Sequence, residues 1–537
     1  MKKLNADVVV VGGGMGGVAA ALAALRAGRS VILTEQYEWL GGQLTSQAVP
    51  MDEHTWVEQF GVTASYRELR DGIRGYYRDN YPLNAQARAE RHLNPGAGLV
   101  SRLCAEPRVA VSVIDSMLAP FTGSTKLTRI NGVIPVSATV DDTIVRSVTV
   151  RDVTTAEETE LTAPYILDAT ELGDLLPLTG AEYVTGTESR ADTGEPSAPE
   201  HAAPDNVQAF SWCFVVDHRD GEDHTIDKPR DYDYWSTYQP DFWGAPLVSL
   251  TAPHPRTLEI VTRAFTPTID DDPFARIADQ RAGGGDDELW IFRRILSTKM
   301  FEPGHLDSDV VMVNWPMIDY LDGNLIDASD DDAAKHRDAS RQLSLAMFYW
   351  LQTEAPRPDG GKGWPGLRLR GDITGTADGL AQAPYIRESR RIISEYRVVE
   401  DDLSIAVRGH GRPATFPDTV GVGMYRIDLH PSTGGDNYID VASAPFEIPL
   451  GAMIPVRLDN LLPAGKNVGT THITNGAFRL HPVEWNIGES AGWLAAFCLD
   501  REVDPRTVRN TPELLEEFQT LLTRQGVELH WPDVTGY

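Results

Sequence analysis

A buried strand that runs into three glycines constrains this chain more than any other stretch. Residues 8–11 are four valines, a run typical of a buried parallel strand. The apolar run 18–26 follows with helical composition, and a second apolar run, 31–34, ends at Glu35. Between the first strand and the helix stand three glycines with the spacing G-x-G-x-x-G: Gly12, Gly14 and Gly17. This order predicts a βαβ unit that binds a dinucleotide.

Each part of this unit has a physical role. Gly12 permits the tight turn, Gly14 lets a pyrophosphate approach the backbone, and Gly17 lets the helix pack on the strand. The helix N-terminus offers unpaired N–H groups and a positive dipole end to phosphates. Glu35 can accept hydrogen bonds from both ribose hydroxyls and disfavours a 2′-phosphate, so FAD or NAD is expected rather than NADP. The expected contacts are Gly12, Gly14, Met15, Gly16, Gly17, Glu35 and Gln36.

The segment after Glu35 favours FAD over NAD. It reads QYEWLGGQLTSQ, and a Gly-Gly pair followed by polar residues resembles the early segment of glutathione-reductase-type flavoproteins. There this segment lies along the diphosphate and ribityl chain, and residues 45–47 would lead towards the isoalloxazine ring. Non-covalent FAD is expected, rather than attachment through His54. The resemblance implies FAD contacts at Gly41, Gly42, Gln43 and Thr45.

Composition narrows the class of protein. The chain has 537 residues, of which 42% are hydrophobic, so we expect at least two domains. A formal net charge of −30 repels nucleic acid and anionic membranes, and no apolar run is long enough to span a bilayer. We expect no signal peptide. The cysteines Cys104, Cys213 and Cys498 form no C-x-x-C, which predicts neither a redox disulfide nor a metal site and fits a cytoplasmic location.

The order of elements predicts an α/β protein with a Rossmann-like FAD-binding domain of glutathione-reductase type and an inserted α+β substrate domain. The FAD-binding domain would contain a polar excursion that could roof the flavin. The expected division is 1–182 for the first FAD-binding part with its excursion at 50–92, 183–446 for the substrate domain, 447–505 for the second FAD-binding part, and 506–537 for a C-terminal helical tail.

Several elements are expected between these landmarks. A turn at Asp141–Asp142 would join two strands of a small inserted sheet, and a later strand would return to the main sheet. Strands are expected at 126–136, 144–152, 161–170, 209–217, 257–265, 289–296 and 308–314, a helix, a strand and a helix over 97–118, and helices at 66–77 and 331–354. Backbone near Val136 would lie close to the adenine. The loop after the returning strand would pass the cofactor at Ala169, Thr170 and Gly173.

A second cofactor segment is expected near the C-terminus. Residues 460–465 read as a short strand, and 486–499 read as a helix whose N-terminus points at the flavin pyrimidine. Helix N–H groups there would stabilise the negative charge that reduced flavin carries near N1 and O2. The expected contacts are Asn467, Asn486, Ile487 and Gly488.

Five segments together resemble a bacterial family of FAD-dependent oxidoreductases, which is distantly similar to the flavoproteins of succinate dehydrogenase and fumarate reductase. The segments are GGQLTSQ, VNWPMIDY, PYIRESRR, GMYRIDLHPS and GTTHITNGAFRLHPVEWNIGE. The resemblance covers most of the chain and implies a two-domain flavoenzyme without implying a substrate. Gly465 and Ala477 stand where many members have cysteine, and neither difference removes a candidate catalytic group.

Histidines and arginines near the flavin segments are the catalytic candidates. Histidine can take or give a proton near neutral pH, and hydride transfer from an alcohol or amine needs a base. His481 is the first choice for this base and His472 the second, with Arg479 orienting the substrate; a purely structural role stays open for either histidine. His430 is a further candidate. Arg387 lies in a charged segment that could be a strand reaching the flavin or a solvated cluster.

The leading hypothesis is an FAD oxidoreductase that removes a hydride from a small alcohol, sugar or amine to flavin N5. An alternative is the reduction of an activated C=C bond, with Arg479 holding a carboxylate. A third, from another class, is an RNA-modifying or nucleic-acid-binding flavoprotein, which the net charge disfavours. The electron acceptor, oxygen or a carrier, and the oligomeric state stay open.

Overall fold

A parallel sheet of five strands forms the centre of the computed structural model, which describes residues 2–278 and 286–537. Its registers pair Val8 with Val31 on one side and with Tyr165 on the other. In spatial order the strands are Leu461–Pro463, Tyr165–Asp168, Val8–Val11, Val31–Glu35 and Leu127–Asn131. A strand from near the C-terminus therefore joins the N-terminal unit in one sheet.

The predicted βαβ unit is present in full. The four valines of Val8–Val11 are completely buried, as expected for a central parallel strand. The helix Met15–Arg26, called the turn helix below, packs between this sheet and the long C-terminal helix His481–Arg501. A parallel sheet with helices packed on it is the Rossmann-like architecture that the sequence predicts.

A second sheet lies beside the main sheet, and two predicted strands divide between the two. The expected strand 126–136 breaks at Gly132, whose φ of +74° turns the chain from the main sheet into the small one. The expected strand 161–170 breaks at Ala163–Pro164, because proline has no N–H for a ladder. The small sheet has the order Lys2–Asn5, Glu158–Thr162, Ile144–Asp152 and Val133–Asp141.

The excursion after the Gly-Gly segment contains the predicted helix, which runs over Ala64–Asn80, and the short helix Ala85–Ala89. The expectation of a helix, a strand and a helix over 97–118 is wrong, since the only element there is one helix, Pro107–Gly123. The Asn94 side chain explains the absence of a helix and a strand before Pro107. It donates to Ser101 O at 3.2 Å and accepts from Cys104 N at 2.9 Å, and these hydrogen bonds hold the residues between Asn94 and Cys104 in a loop.

The middle of the chain contains an antiparallel sheet and one long helix. The sheet has the order Arg294–Leu296, Val310–Val313, Phe214–His218 and Leu367–Leu369. The helix Asp330–Thr353 follows the predicted apolar periodicity and is capped by Ser329. Three expected strands are shorter: 209–217 divides into Phe210–Ser211 and Phe214–His218, 257–265 reduces to Ile260–Thr262, and 289–296 begins as the helical turn Leu289–Phe292.

Short elements complete the chain. The paired strands are Phe210–Ser211 with Asp319–Tyr320, Thr251–Pro253 with Ile260–Thr262, Tyr183–Val184 with Arg391–Ile392, Thr419–Gly423 with Phe446–Pro449, and Ile427–Leu429 with Ile439–Val441. The short α-helices are Leu175–Thr179, Arg190–Thr193, Tyr232–Trp235, Pro273–Ala278, Gly371–Thr374, Glu400–Leu403, Ile405–Arg408, His472–Phe478 and Pro505–Asn510, and Pro512–Arg524 is longer. The 3₁₀ turns are Gly42–Leu44, Thr298–Met300, Pro316–Ile318 and Leu450–Met453.

The long C-terminal helix begins earlier than predicted. It starts at His481 with Pro482 in its first turn, not at Asn486. Its glycines allow close packing on the turn helix: a Cβ on Gly488 would lie 2.0 Å from Gly16 O. No helix among the described residues is both long and apolar enough to cross a membrane.

Candidate active site and cofactor site

The glycine turn has the geometry of an anion cradle. Gly12 has a φ of +100°, and a Cβ there would lie 2.3 Å from Ala169 O. A Cβ on Gly17 would lie 2.0 Å from Gly12 O, so the helix approaches the strand as closely as predicted. Gly14 caps the turn helix without any side-chain hydrogen bond. The N-cap residue therefore supplies no side chain to the N–H groups of the first helical turn, and the positive end of the helix suits a diphosphate.

Glu35 ends the second strand beside a cavity of about 380 Å³, called the Glu35 cavity below. Its carboxylate accepts hydrogen bonds from Gly13 N at 2.8 Å and Tyr37 N at 3.0 Å. Burial raises the pKa of Glu35 to about 7. The cavity wall includes Gly12, Glu35, Gln36, Tyr37, Val133, Ile134, Pro135, Ala169, Thr170, Glu171, Asp174 and Arg390. This arrangement fits the adenosine end of a dinucleotide. Pro135 belongs to the cavity wall, but Val136, the residue predicted to lie close to the adenine, does not.

The loop after the returning strand meets the cavity only in part. Ala169 and Thr170 contribute to the wall, and the side chain of Asp168 fixes the loop by accepting from Thr170 N at 3.0 Å. Gly173 packs instead on the charged segment 384–391, and a Cβ on Gly173 would lie 3.0 Å from Ser389 Oγ. Gly173 therefore positions the loop beside the cavity.

A buried cluster of charges lies over the glycine turn. Glu171 Oε1 has no hydrogen-bond partner and lies 2.8 Å from the position of a Cβ on Gly14. Lys466 forms an ion pair with Glu171 and lies 3.5 Å from Glu484 Oε2. Burial, opposed by Lys466, raises the pKa of Glu484 above its usual range. The Glu171 carboxylate therefore occupies the space over Gly14, and Lys466 is the buried cation beside it that could hold a phosphate.

The Gly-Gly segment joins this cluster to the C-terminal part of the site. Gly41 N donates to Gly13 O at 2.7 Å, which places Gly41 and Gly42 directly beside the glycine turn. Gln43 Nε2 donates to Glu484 Oε2 at 2.5 Å and to Arg479 O at 3.1 Å. The Thr45 hydroxyl donates to Leu40 O at 2.6 Å and so stabilises the turn itself.

The expectation that Asn486, Ile487 and Gly488 open a helix is wrong, because these residues follow its first turn. Asn486 Nδ2 donates to Val422 O at 3.1 Å, which ties the helix to a neighbouring strand. Asn467 Nδ2 donates to Asp168 O at 3.0 Å, while its Oδ1 has no partner. The first residue of this helix is instead His481, which follows the contact between Arg479 O and Gln43 of the Gly-Gly segment.

A second cavity of about 240 Å³, called the Arg479 cavity below, lies beyond the segment 383–386. Tyr385 belongs to its wall, whereas Ala383, Pro384 and Ile386 belong to the wall of the Glu35 cavity. The charged and aromatic wall residues are Asp52, Glu53, His254, Arg256, Arg263, Asp286, Phe292, Arg293, Tyr385, Tyr425, Arg426, Asp428, His430, Tyr438, Asp440, Arg479 and Tyr537. The wall thus combines residues from both FAD-binding segments with residues from the middle of the chain.

Arg479, the residue predicted to orient the substrate, is held in this wall by two contacts. Its guanidinium donates to the Tyr385 hydroxyl at 2.8 Å and pairs with Asp428 at 3.1 Å. Asp52 is partly exposed in the same wall. Burial, opposed by the nearby Arg293, raises the pKa of Asp52 to about 6. Asp52 is therefore a second titratable group in the cavity wall. The sequence did not indicate it, because an aspartate in a polar segment belongs to no recognisable motif.

His430 has the geometry of an oriented base. Its Nδ1 lies 2.6 Å from Asp319 Oδ2, and Asp319 is fully buried. Asp319 also accepts from Ser211 Oγ at 2.5 Å and pairs with Arg387 at 3.0 Å. Burial raises the pKa of Asp319, but Arg387 and His430 lower it by more. The pKa of Asp319 is therefore below its usual value, and the carboxylate is ionised. An ionised acceptor holds the proton on Nδ1 and leaves Nε2 as the basic nitrogen.

Arg387 therefore acts through Asp319 and does not contribute to the wall of either cavity. The expected alternating strand in its segment is absent, since only Arg391–Ile392 is a strand there. Arg387 is buried, and its guanidinium also donates to Ala209 O at 2.7 Å. It is neither a solvated charge nor a residue at a cavity wall.

The geometries of His481 and His472 differ from that of His430. His481 Nδ1 accepts from Asp52 N at 3.1 Å, and burial lowers the pKa of His481 to about 3. Such an imidazole is neutral and carries its proton on Nε2, so it is a hydrogen-bond donor. His472 Nδ1 lies 3.0 Å from both oxygens of Glu388, in neither cavity wall. This contact suits a structural role.

A family model described as FAD dependent oxidoreductase matches residues 7–522. The chain belongs to this family. It is therefore an FAD-dependent oxidoreductase with FAD as its cofactor, as the resemblance in the sequence implies. The glycine turn, the buried Glu35 and Lys466 are residues that fit this cofactor.

Solved structures with detectable likeness include several flavoproteins. A geranylgeranyl bacteriochlorophyll reductase-like protein from Thermoplasma acidophilum is 11% identical, with 98% of this chain and 85% of that chain covered and a TM-score of 0.31. A mutant FrdA of E. coli quinol fumarate reductase is also 11% identical, with 98% and 74% covered and a TM-score of 0.30. L-proline dehydrogenase from P. horikoshii is 14% identical over 35% of this chain, which spans only 24% of that chain, with a TM-score of 0.18. The comparison with curated proteins gives no match.

Proposed function

We propose that this FAD-dependent oxidoreductase removes a hydride from a small alcohol, sugar or amine bound in the Arg479 cavity. The observation that carries the proposal is His430, which belongs to the cavity wall and is oriented by the buried Asp319. FAD, when bound, supplies the acceptor of the hydride. Removal of a hydride from carbon leaves a positive charge unless the neighbouring O–H or N–H loses its proton, and His430 Nε2 is the group that takes it.

The other wall residues hold the substrate for this step. Arg479 belongs to the cavity wall and is fixed by Tyr385 and Asp428, so it can orient a substrate without a large loss of side-chain entropy. His481 and the backbone of Asp52 form one hydrogen-bonded unit at the start of the long helix. His481 belongs to neither cavity wall, so its part in this proposal is to fix Asp52, which does belong to the wall of the Arg479 cavity.

Non-covalent cofactor binding is part of this proposal. His54 is buried, its Nε2 bonds to Gly61 O at 3.0 Å and its Nδ1 accepts from Trp56 N at 3.2 Å. Burial lowers the pKa of His54 to about 4. Both ring nitrogens are thus engaged within the excursion, and acid precipitation should release FAD into the supernatant. Flavin that stays in the pellet would contradict non-covalent binding.

The reaction is tested by anaerobic mixing of the holoenzyme with separate alcohols, sugars, amines and enoates, while the flavin absorbance is followed. Bleaching by one of the first three groups supports the proposal. A second candidate is the reduction of an activated C=C bond, which the arginines of the cavity wall favour because they can hold a carboxylate. Reoxidation of dithionite-reduced enzyme by enoates alone would establish this alternative and overturn the first.

A further inference from the structure

The polar atoms without partners in the Arg479 cavity wall are mostly cationic donors. Among its described wall residues, the buried side-chain atoms without a hydrogen bond belong to three arginines, one tyrosine and one asparagine: Arg263 Nη1, Arg293 Nε and Nη1, Arg479 Nε, Tyr438 Oη and Asn314 Oδ1. A buried polar atom without a partner costs free energy, and half of these atoms or more belong to arginines, so the wall carries cationic groups whose hydrogen bonding is incomplete. The only acceptor in this set that cannot also donate is Asn314 Oδ1.

Arg293 differs from the other arginines of the wall. Arg263 pairs with Asp286, and Arg426 with Asp440, whereas no carboxylate lies within ion-pair distance of Arg293 among the described residues. Its guanidinium stacks on the Phe292 ring at 5.1 Å. Stacking fixes the plane of the guanidinium and leaves its edge as a fork of donors, the geometry that binds a carboxylate through two parallel hydrogen bonds.

We infer that the Arg479 cavity binds the carboxylate of a small hydroxy acid at Arg293. This narrows the proposed function, on which it rests. A carboxylate supplies the counter-charge that Arg293 lacks among the described residues, which neither a neutral sugar nor an ammonium group can do. The carbinol carbon loses its hydride to FAD and the hydroxyl loses its proton to His430, so that a hydroxy acid becomes an oxo acid.

The test measures binding before turnover. The oxidised holoenzyme is titrated with acetate, propionate and benzoate and with the matching amides, while the flavin spectrum and the melting temperature are recorded. Carboxylates should produce saturable changes in both, and the amides should not. Inorganic phosphate and sulfate form a third arm, because an arginine fork also binds these oxyanions.

Two variants assign the effect to Arg293. Arg293→Gln should weaken carboxylate binding by about 10- to 100-fold, the range expected for hydrogen bonds to a charged group. Arg293→Lys keeps the positive charge but lacks the two parallel donors, so its affinity for carboxylates should lie between those of the wild type and Arg293→Gln. It replaces Arg293→Gln in the test if that variant does not fold. The matched control is Arg341→Gln, which removes an arginine stacked on Trp212 outside the cavity wall.

The outcomes separate this inference from the proposed function. Equal binding of amides and carboxylates, an unchanged affinity in Arg293→Gln, or preference for phosphate or sulfate would each overturn the hydroxy-acid assignment. Flavin bleaching by neutral alcohols without any carboxylate binding would overturn the inference and leave the proposed function standing. Carboxylate binding without bleaching by any hydroxy acid, alcohol, sugar or amine would overturn the proposed oxidation and leave the binding site standing.

Discussion

The best-defined contacts of the two cavities span different lengths of chain. Although distant segments complete the wall of the Glu35 cavity, the Glu35 carboxylate itself is bound by backbone N–H groups close to it in the chain, Gly13 N at 22 residues and Tyr37 N at two. The wall of the Arg479 cavity combines side chains from at least six separate segments, and its base is oriented by a carboxylate 111 residues away. A cofactor common to many proteins can be bound by backbone geometry, whereas the substrate pocket of one protein depends on long side chains brought together by the fold.

The difference extends to the kind of atom that acts. In the Glu35 cavity, removing a side chain matters less than adding one, because a Cβ on Gly12 or Gly17 would overlap backbone oxygen. At the Arg479 cavity the reverse holds, because the wall residue His430 depends on the side chains of Asp319 and Arg387, which are buried behind the wall and fix one another. Substitutions at the two cavities should therefore have different signatures, cofactor loss in one and slower chemistry in the other.

The largest effect is expected at Gly17. In Gly17→Val, the added Cβ would lie 2.0 Å from Gly12 O, so the turn must open and FAD binding should fall by about 100-fold or more. Flavin content after purification and FAD titration measure this. Gly75→Ala is the control, because its Cβ meets nothing within 4 Å, and it should keep full FAD content. Normal FAD affinity in Gly17→Val would show that the close approach is not needed.

The next effect is expected at the oriented base. His430→Gln and Asp319→Asn should retain FAD but slow flavin reduction by a bound substrate by about 10²- to 10⁴-fold, the usual contribution of a general base. Single-turnover reduction in a stopped-flow instrument measures the rate, with the flavin spectrum as the check on folding. Wild-type rates in His430→Gln would move the base elsewhere, with Asp52 as the next group in the cavity wall.

The pH dependence should follow from the burial of His430. Burial lowers the pKa of His430 below its usual 6.5, and only the neutral ring is a base. The second-order rate constant for flavin reduction should therefore fall on acidification with a midpoint below pH 6.5, and this decline should be lost in His430→Gln. A decline centred above pH 6.5 would be inconsistent with this assignment.

A stability effect without a cofactor effect is expected at Asn486. Asn486→Ala removes the hydrogen bond to Val422 O from a fully buried position, which should lower the free energy of unfolding by about 1–3 kcal/mol. The flavin spectrum and the reduction rate should stay close to those of the wild type. A large spectral change would restore Asn486 as a flavin contact.

A small effect on chemistry is expected at His481. Because burial lowers the pKa of His481 to about 3, the ring is already neutral and acts as a donor. His481→Ala should keep FAD bound and reduce the flavin reduction rate by about 10-fold or less, a loss typical of one neutral hydrogen bond, with an unchanged pH profile above pH 5. A loss comparable to that of His430→Gln would reverse the roles of the two histidines.

The sequence by itself determined the cofactor end of the molecule. Strand, glycines, helix and terminal acid are neighbours in the chain, and the close approach at Gly17 is to Gly12 O in the same stretch, whereas the close approach at Gly12 is to Ala169 O. Local patterns also predicted the helices near 66–77 and 331–354. Local patterns did not predict that a glycine would end a strand early, as at Gly132, or that a side chain would hold a loop, as at Asn94.

Only the tertiary structure decided which charged residues face a cavity. His472, His430 and His481 look equivalent in the sequence, and their protonation depends on Glu388, Asp319 and burial. Arg387 and Arg293 are likewise both arginines beside apolar residues, but one is paired inside the protein and the other has free donors in a cavity wall. The reason is physical: pKa values and pairing are set by groups within a few ångströms in space, and these groups lie tens to hundreds of residues apart in the chain.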